Sequence, residues 1–104
     1  MAIKHITFDD SASMSYTVLS GAYQTLITMT DDADVLFIWN STDAAIALSV
    51  PNGAGSTKDL KMPKQSTMTI DCRSNSKRLA KGVIRVRATG ALASTGEVIA
   101  TVAR

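Results

Sequence analysis

The stretch from Val35 to Val50, VLFIWNSTDAAIALSV, constrains the fold more than any other part of this chain. It opens with five consecutive apolar residues, breaks at the turn-forming residues 40–43, and continues with apolar residues at every second position from residue 46. Runs of β-branched and aromatic residues bounded by turn formers are typical of strands, and a short break between two such runs favours a hairpin. The stretch therefore predicts a central strand covered on both faces, followed by a strand with one buried face.

The rest of the chain repeats this strand pattern. From residue 16 onward, short apolar or alternating segments are separated by turn signals, and no segment has a convincing helical period. We therefore expect an all-β domain over residues 16–104: an antiparallel β-sandwich of about seven strands, immunoglobulin-like or jelly-roll-like, with a small closed barrel as the alternative. The predicted core contains Phe37 or Val35, together with Ile46, Leu48, Ile70, Ile84, Val86 and Val98.

Residues 1–15 differ from the segments that follow them. Ile3, Ile6 and Phe8 are apolar, but their spacing matches neither a helix face nor a strand face, and a short polar link follows them. We interpret residues 1–15 as an extended N-terminal arm whose apolar residues dock on a neighbouring subunit. The alternative is that this segment forms an eighth strand of the same domain.

The composition offers little for catalysis. The chain has one histidine, His5, in the predicted arm, and one cysteine, Cys72, at an inward strand position where a thiol behaves as a small hydrophobic group. No nucleophile motif, phosphate-binding loop or paired Cys and His spacing is present, so we expect no catalytic residues, no cofactor and no metal. The residues Asp31, Asp32 and Asp34 could bind a cation, but an Asp-rich turn is the simpler interpretation.

The charged residues are unevenly distributed along the chain. The first half carries Asp31, Asp32 and Asp34, whereas Arg85 and Arg87 occupy outward positions of a C-terminal strand. We expect these arginines to pair with acidic groups of another copy or of another protein, and a solvated face is the alternative. A net charge of +2 and the lack of aromatic residues after residue 73 argue against nucleic acid.

The N-terminus and the hydropathy of the chain bear on where the protein folds. The sequence MAIKHITFDD lacks the apolar core of a secretory signal, and no stretch is long and apolar enough to cross a bilayer. We therefore expect the protein to be made and folded in a reducing cytoplasm, without contact with a membrane.

The chain from Ser20 to Arg104 resembles a loosely related group of small virion proteins of tailed bacteriophages. The resemblance lies in three segments: the lead-in SGAYQTL, the apolar run followed by Asn40-Ser41-Thr42-Asp43, and the closing segment from Gly96 to Val102. Lys61-Met62-Pro63-Lys64 departs from the group, in which a leucine–proline–alanine–glycine turn is common. The resemblance implies a β-sandwich structural protein and transfers no active site.

On this basis we expect a non-enzymatic virion protein that is folded in the host cytoplasm. A capsid decoration, or cement, protein comes first: a homo-oligomer that stabilises the head through contacts between its subunits and with the major capsid protein. The alternatives are a neck, tail or fibre-attachment component and, from a different class, a carbohydrate- or receptor-binding module. Sugar binding usually needs an exposed Trp or Tyr, and we expect the single tryptophan, Trp39, to be buried.

Overall fold

The structure is a computed structural model that describes residues 8–53, 55–73 and 78–104. In these ranges the chain forms eight β-strands and no α-helix. The strands are β1 (Phe8–Ser15), β2 (Gln24–Met29), β3 (Val35–Asn40), β4 (Ile46–Pro51), β5 (Thr57–Met62), β6 (Ser66–Asp71), β7 (Gly82–Ala88) and β8 (Glu97–Ala103). The predicted all-β class is confirmed, with eight strands where the sequence pattern indicated about seven.

The strands form two antiparallel sheets that pack against each other. Sheet 1 has the strand order β1-β8-β3-β6, and sheet 2 has the order β2-β7-β4-β5. The pairs β4–β5, β3–β6, β2–β7 and β1–β8 are therefore nested, as if one long hairpin had been rolled around itself. This arrangement of eight strands is a jelly roll, one of the two sandwich types that the sequence left open.

The connection between β3 and β4 corrects the prediction of a hairpin. The two strands belong to different sheets, so residues 41–45 cross from one layer to the other. The hairpin lies one step later, between β4 and β5, where the loop after Pro51 closes with a hydrogen bond from the Ser56 amide to the Gly53 carbonyl. Gly53 and Gly55 both have positive φ angles, a conformation that glycine adopts without steric cost.

The N-terminal segment also differs from its prediction. Phe8–Ser15 is not a free arm but strand β1, which pairs antiparallel with β8 from Ser15 opposite Glu97 to Phe8 opposite Ala103. Met14 is buried in the core, and Ala12 packs against it. The eighth-strand alternative is therefore correct for residues 8–15, whereas Ile3 and Ile6 lie outside the described residues.

The core lies between the two sheets and contains most of the predicted residues. Strands β6, β7 and β8 have the predicted orientation, with Ile84, Val98 and their alternate neighbours facing inward. Ile46, Leu48, Ile84, Val86 and Val98 are buried in one cluster, and Ile70 packs against it. Of the two residues predicted for β3, Val35 is buried but lies outside this cluster, and Phe37 is exposed. Leu36 and Ile38, which were not predicted, are the residues of β3 in the core cluster.

Candidate interaction surfaces

The described residues contain no arrangement suited to metal binding. No group of three or more His, Cys, Asp or Glu side chains within these ranges could hold a metal ion. His5 lies outside the described residues, and Cys72 is a free, half-buried thiol at the end of β6. The two outer faces of the sandwich carry the candidate interaction surfaces.

The outer face of sheet 1 is aromatic and carries few charges, with Glu97 at one end and Asp71 at one corner, and we call it the aromatic face. Two cross-strand rows form its centre. One row places Trp39 between Ile99 and Thr67, with Ser13 at the edge, and the other places Phe37 between Thr101 and Thr69, with Ser11 at the edge. The Ser11 and Thr101 hydroxyls are 3.3 Å apart, which is within hydrogen-bond distance.

A third row of the aromatic face adds Phe8 and one charged residue. It runs from Phe8 through Ala103 and Val35 to Asp71 at the corner of the sheet. The exposed fractions of the three aromatic side chains are 66% for Phe8, 36% for Phe37 and 49% for Trp39. The three rows therefore present three aromatic rings to solvent and only one ionisable group.

The apolar run in β3 predicted a strand covered on both sides, with Trp39 buried. Both expectations are wrong, because sheet 1 forms an outer layer of the sandwich. The main argument against a sugar-binding platform therefore no longer applies. The alternation in β6, with Thr67 and Thr69 outward, and in β8, with Val98 inward, indicated which side of this sheet faces outward.

The outer face of sheet 2 is cationic, and we call it the arginine face. Arg85 lies between Thr25 of β2 and Ser49 of β4, and Ala47 of β4 lies between Arg87 and Lys61. Ala47 and Ser49 are both buried although they point outward, because their long neighbours cover them. As predicted, Arg85 and Arg87 share one outward face.

The two arginines have different surroundings. The Arg87 guanidinium lies 5.3 Å from the centroid of the Tyr23 ring, a cation–π contact that orients it. Within the described residues, neither arginine has a carboxylate at ion-pair distance. Asp59 is in the same row as Arg85, but the Ser49 position on β4 separates them.

The acidic turn at residues 31–34 is held by contacts with Arg78, Lys81 and Arg104 of the same chain. The Arg78 guanidinium lies 3.0 Å from an Asp34 carboxylate oxygen, and the Lys81 amide donates a 2.9 Å hydrogen bond to Asp32 Oδ1. Arg104 donates to the main-chain carbonyls of Asp31 and Asp32. These contacts favour the interpretation of an Asp-rich turn, and whether it also contacts a partner remains a prediction.

Residues 40–43 have a structural role. The Asn40 side chain is buried, and its amide nitrogen donates to the carbonyls of Ala44 and Pro63, each at 3.0 Å. Its Oδ1 atom accepts hydrogen bonds from the Thr42 amide and hydroxyl. This network fixes the turn that carries the chain from sheet 1 to sheet 2.

Two exposed carboxylates have lowered pKa values. The Ser94 hydroxyl and amide donate to Asp43, which lowers the pKa of that carboxyl group. Hydrogen bonds from the Arg73 side chain and amide lower the pKa of Asp71 to about 2. Asp43 thereby links the crossover between the sheets to the loop between β7 and β8, whereas Asp71 and Arg73 pair locally at the end of β6.

Comparison with known proteins identifies the fold and nothing more specific. No protein-family model and no curated protein matches the sequence. Among solved structures, the chain is similar to one from the disulfide-linked pili of Bacillus endospore appendages, with a TM-score of 0.54 and 13% identity, covering 98% of this chain and 89% of that one. It is also similar to CoII HppE in complex with substrate, with a TM-score of 0.52 and 13% identity, covering 88% of this chain.

The present chain spans only 42% of the HppE chain. At 13% identity, both similarities support the β-sandwich fold alone.

Within the described residues, no helix has the length and apolar character needed to cross a membrane.

Proposed function

We propose that this chain is a non-enzymatic structural protein of a bacteriophage virion, and specifically a decoration protein that coats the capsid and stabilises it. The observation that carries the proposal is the aromatic face. The centres of protein interfaces are enriched in aromatic residues and depleted of charge, and exposed apolar patches often mark such contacts. Phe8, Phe37 and Trp39 form such a patch on the outside of an otherwise closed sandwich.

The size of this face fits binding in many copies. With strands ~4.8 Å apart and successive outward residues ~6.7 Å apart, four strands and three rows cover roughly 400 Å². A stable pairwise interface buries about 800 Å² on each partner, so this face alone would give a weak contact. On a capsid, many copies could each combine this contact with others, and the weak contacts would add together.

The test uses capsids prepared without this chain. The wild-type protein should co-sediment with them, whereas a Phe37→Ser/Trp39→Ser variant should remain in the supernatant. The matched control is Tyr16→Ser/Leu92→Ser, which removes two exposed apolar side chains outside the three rows. Circular dichroism and thermal melting confirm that each variant is folded.

Two results would contradict this proposal. The first is equal co-sedimentation of the Phe37→Ser/Trp39→Ser variant and the wild type. The second is the absence of the chain from purified virions by quantitative mass spectrometry. The same measurement separates the structural alternatives, because hundreds of copies indicate decoration of the head, and about a dozen indicate the neck or tail.

The exposure of Trp39 supports a second candidate, a carbohydrate-binding module. Half-exposed aromatic rings can stack on the apolar face of a sugar, and the Thr67 hydroxyl lies beside the ring row. The two central rows carry no amide or charged side chain to bind sugar hydroxyls, so this candidate ranks second. Because Trp39 is the only tryptophan, its fluorescence reports sugar binding directly, and no change across a glycan panel would exclude this function.

A further inference from the structure

We propose that the arginine face is a second binding surface, whose partner is a cluster of carboxylates on a different protein. The inference deepens the proposed function and rests on it for the identity of that protein as another component of the virion. The aromatic face would then make the apolar contact, and the opposite side of the sandwich would make the electrostatic one.

The geometry of β7 prepares its arginines for carboxylates. Arg85 and Arg87 occupy successive outward positions of β7, which is paired with a strand on each side. Their backbone positions are therefore fixed by the sheet. The residues opposite the two arginines on the neighbouring strands are small: Thr25 and Ser49 beside Arg85, and Ala47 beside Arg87. A planar guanidinium can bind a carboxylate through two parallel hydrogen bonds, and no group of the described chain occupies Arg85 in this way.

A groove at the end of sheet 2 extends this surface. It has a volume of about 440 Å³, and its lining includes Arg85, Lys81, Ser56 and Thr57, with Asp32 also present. Gly53 and Gly55 line it as well, and no side chain from either residue fills the space. The groove therefore offers two cations and two hydroxyl-bearing residues to an acidic side chain that reaches in from a partner.

The acidic groups of the chain itself do not form a complement to this surface. Asp34 pairs with Arg78, Asp71 pairs with Arg73, and Asp10 lies 3.8 Å from Arg104. Asp32 accepts the Lys81 amide, and Asp43 accepts two hydrogen bonds from Ser94. Asp31 and Asp32 share a groove with Arg78, Lys81 and Arg104, and Asp59 and Glu97 lie on strands of different sheets. Within the described ranges no acidic cluster lies away from cations for a second copy to present, which favours a different protein as the partner.

A protein partner also explains the face better than nucleic acid does. Single-stranded nucleic acid is usually bound by aromatic rings on which bases stack, beside a basic strip. The aromatic ring next to the arginines is Tyr23, and Arg87 already lies over it. The exposed rings Phe8, Phe37 and Trp39 are on the outer face of the other sheet.

The experiment measures binding of fluorescein-labelled poly-L-glutamate by fluorescence anisotropy, with a labelled oligodeoxynucleotide of equal length in parallel. We expect the wild-type protein to bind poly-L-glutamate at low salt, and Arg85→Gln/Arg87→Gln to bind about tenfold more weakly. The control Lys64→Gln/Arg73→Gln removes the same net charge elsewhere and should stay within about twofold of wild type. The affinity of Arg85→Lys/Arg87→Lys for poly-L-glutamate should lie between those of the wild type and Arg85→Gln/Arg87→Gln. Lysine keeps the positive charge but lacks the planar guanidinium group.

Three outcomes would overturn the inference: no binding of poly-L-glutamate, an equal loss in the control, or tighter binding of the oligodeoxynucleotide through the same arginines. Capsids are not used in this assay, so its result is separate from that of co-sedimentation. If the protein does not bind capsids but binds poly-L-glutamate through Arg85 and Arg87, the proposed function is contradicted and the carboxylate-binding surface is supported. If the protein binds capsids but does not bind poly-L-glutamate, only the carboxylate-binding surface is contradicted.

Discussion

The rings of Phe8 and Phe37 meet across strand β8, with their centroids 6.0 Å apart and their planes inclined by 39°. Phe8 lies opposite Ala103 and Phe37 lies opposite Thr101, so the small Ala103 side chain leaves room for the contact. This pair joins the first described residue of the chain to the third strand, on the outside of sheet 1. It gives β1 an attachment beyond its backbone hydrogen bonds.

Replacing Phe8 with alanine should therefore lower the stability of the whole domain. Aromatic pairs contribute about 0.5–1.5 kcal/mol beyond area burial, so we expect the free energy of unfolding to fall by about 1 kcal/mol. Urea denaturation measures the difference, and Leu92→Ala, at an exposed apolar residue in a loop, is the control. Unchanged stability of Phe8→Ala would show that β1 is held without its aromatic contact.

The position of Ile84 in the centre of β7 predicts a much larger effect. Its side chain is fully buried in the core cluster between the sheets. Ile84→Ala should reduce the free energy of unfolding by about 2–5 kcal/mol, because it leaves a cavity in a close-packed core. The neighbouring residue Arg85 points outward, so Arg85→Ala should change the free energy of unfolding by less than about 0.5 kcal/mol. Equal urea midpoints for the two variants would mean that the inward side of β7 is assigned wrongly.

The difference between β7 and β3 shows why only part of the fold could be predicted. In β7, arginines alternate with apolar residues, and this pattern alone identifies the inward side. In β3, all five residues from Val35 to Trp39 are apolar, so alternation gives no information about the exposed side. Which side faces out depends on sheet 1 being an outer layer, and that follows only from the nesting of all eight strands.

Strand β1 was predicted only as the alternative to an arm, for a related reason. Its sequence, FDDSASMS, has few residues that favour strands, and it forms because β8 offers an unpaired edge to it. The break at residues 40–43 likewise fits a hairpin or a crossover, since both need only a short turn. The arginine face was predicted from alternation, whereas the aromatic face needed the register of β3 with β6 and β8.

Gly96 provides a test of the contact between the crossover and the start of β8. Its φ angle is +92°, and a Cβ atom there would collide with the backbone carbonyl of Ser41. The Ser41 amide bonds to the Glu97 carbonyl at 2.9 Å, so this backbone cannot easily move away. Gly96→Ala should cost at least about 2 kcal/mol of stability from backbone strain and collision.

The matched control for this substitution is Gly90→Ala. Nothing lies within 4 Å of the position that its Cβ atom would take, and its φ angle is not positive. The melting temperature of Gly90→Ala should equal that of the wild type or be slightly higher, because alanine restricts the conformations of the unfolded chain. Equal melting temperatures for Gly96→Ala and Gly90→Ala would contradict the close approach of residues 41 and 96.

The pairing of Asp71 with Arg73 predicts a measurable titration. Hydrogen bonds from Arg73 lower the pKa of Asp71 from 3.8 to about 2 in the folded protein. Because the folded-state pKa lies below the unfolded one, the pair's contribution to stability is present above pH 3.8 and disappears as the pH falls through about 2. In NMR titrations of the Asp71 carboxyl carbon, Arg73→Gln should raise this pKa toward 3.8. An Asp71 pKa that does not respond to Arg73→Gln would disprove the pairing.

Asn40 is the polar side chain on which the crossover between the sheets depends. Asn40→Ala removes the acceptor of the Thr42 amide and one donor each from the Ala44 and Pro63 carbonyls in a buried site. The two carbonyls keep the Thr42 and Ser66 hydroxyls as donors. Unsatisfied buried groups cost about 1–3 kcal/mol each, and partial relaxation should limit the total loss to about 2–4 kcal/mol. Urea denaturation measures it, and Asn52→Ala in the exposed hairpin loop is the control.

Asn40→Asp separates the role of hydrogen bonding from that of shape. The new carboxylate would be buried and would face the same two carbonyl oxygens without a proton to donate, so its pKa should rise in the folded state. A raised folded-state pKa means that the variant is most stable at low pH, where the group is protonated, and loses stability as the pH rises through that pKa. We therefore expect the difference in unfolding free energy from wild type to shrink on acidification, while the difference for Asn40→Ala stays constant. Parallel pH profiles for the two variants would show that Asn40 stabilises the crossover through packing alone.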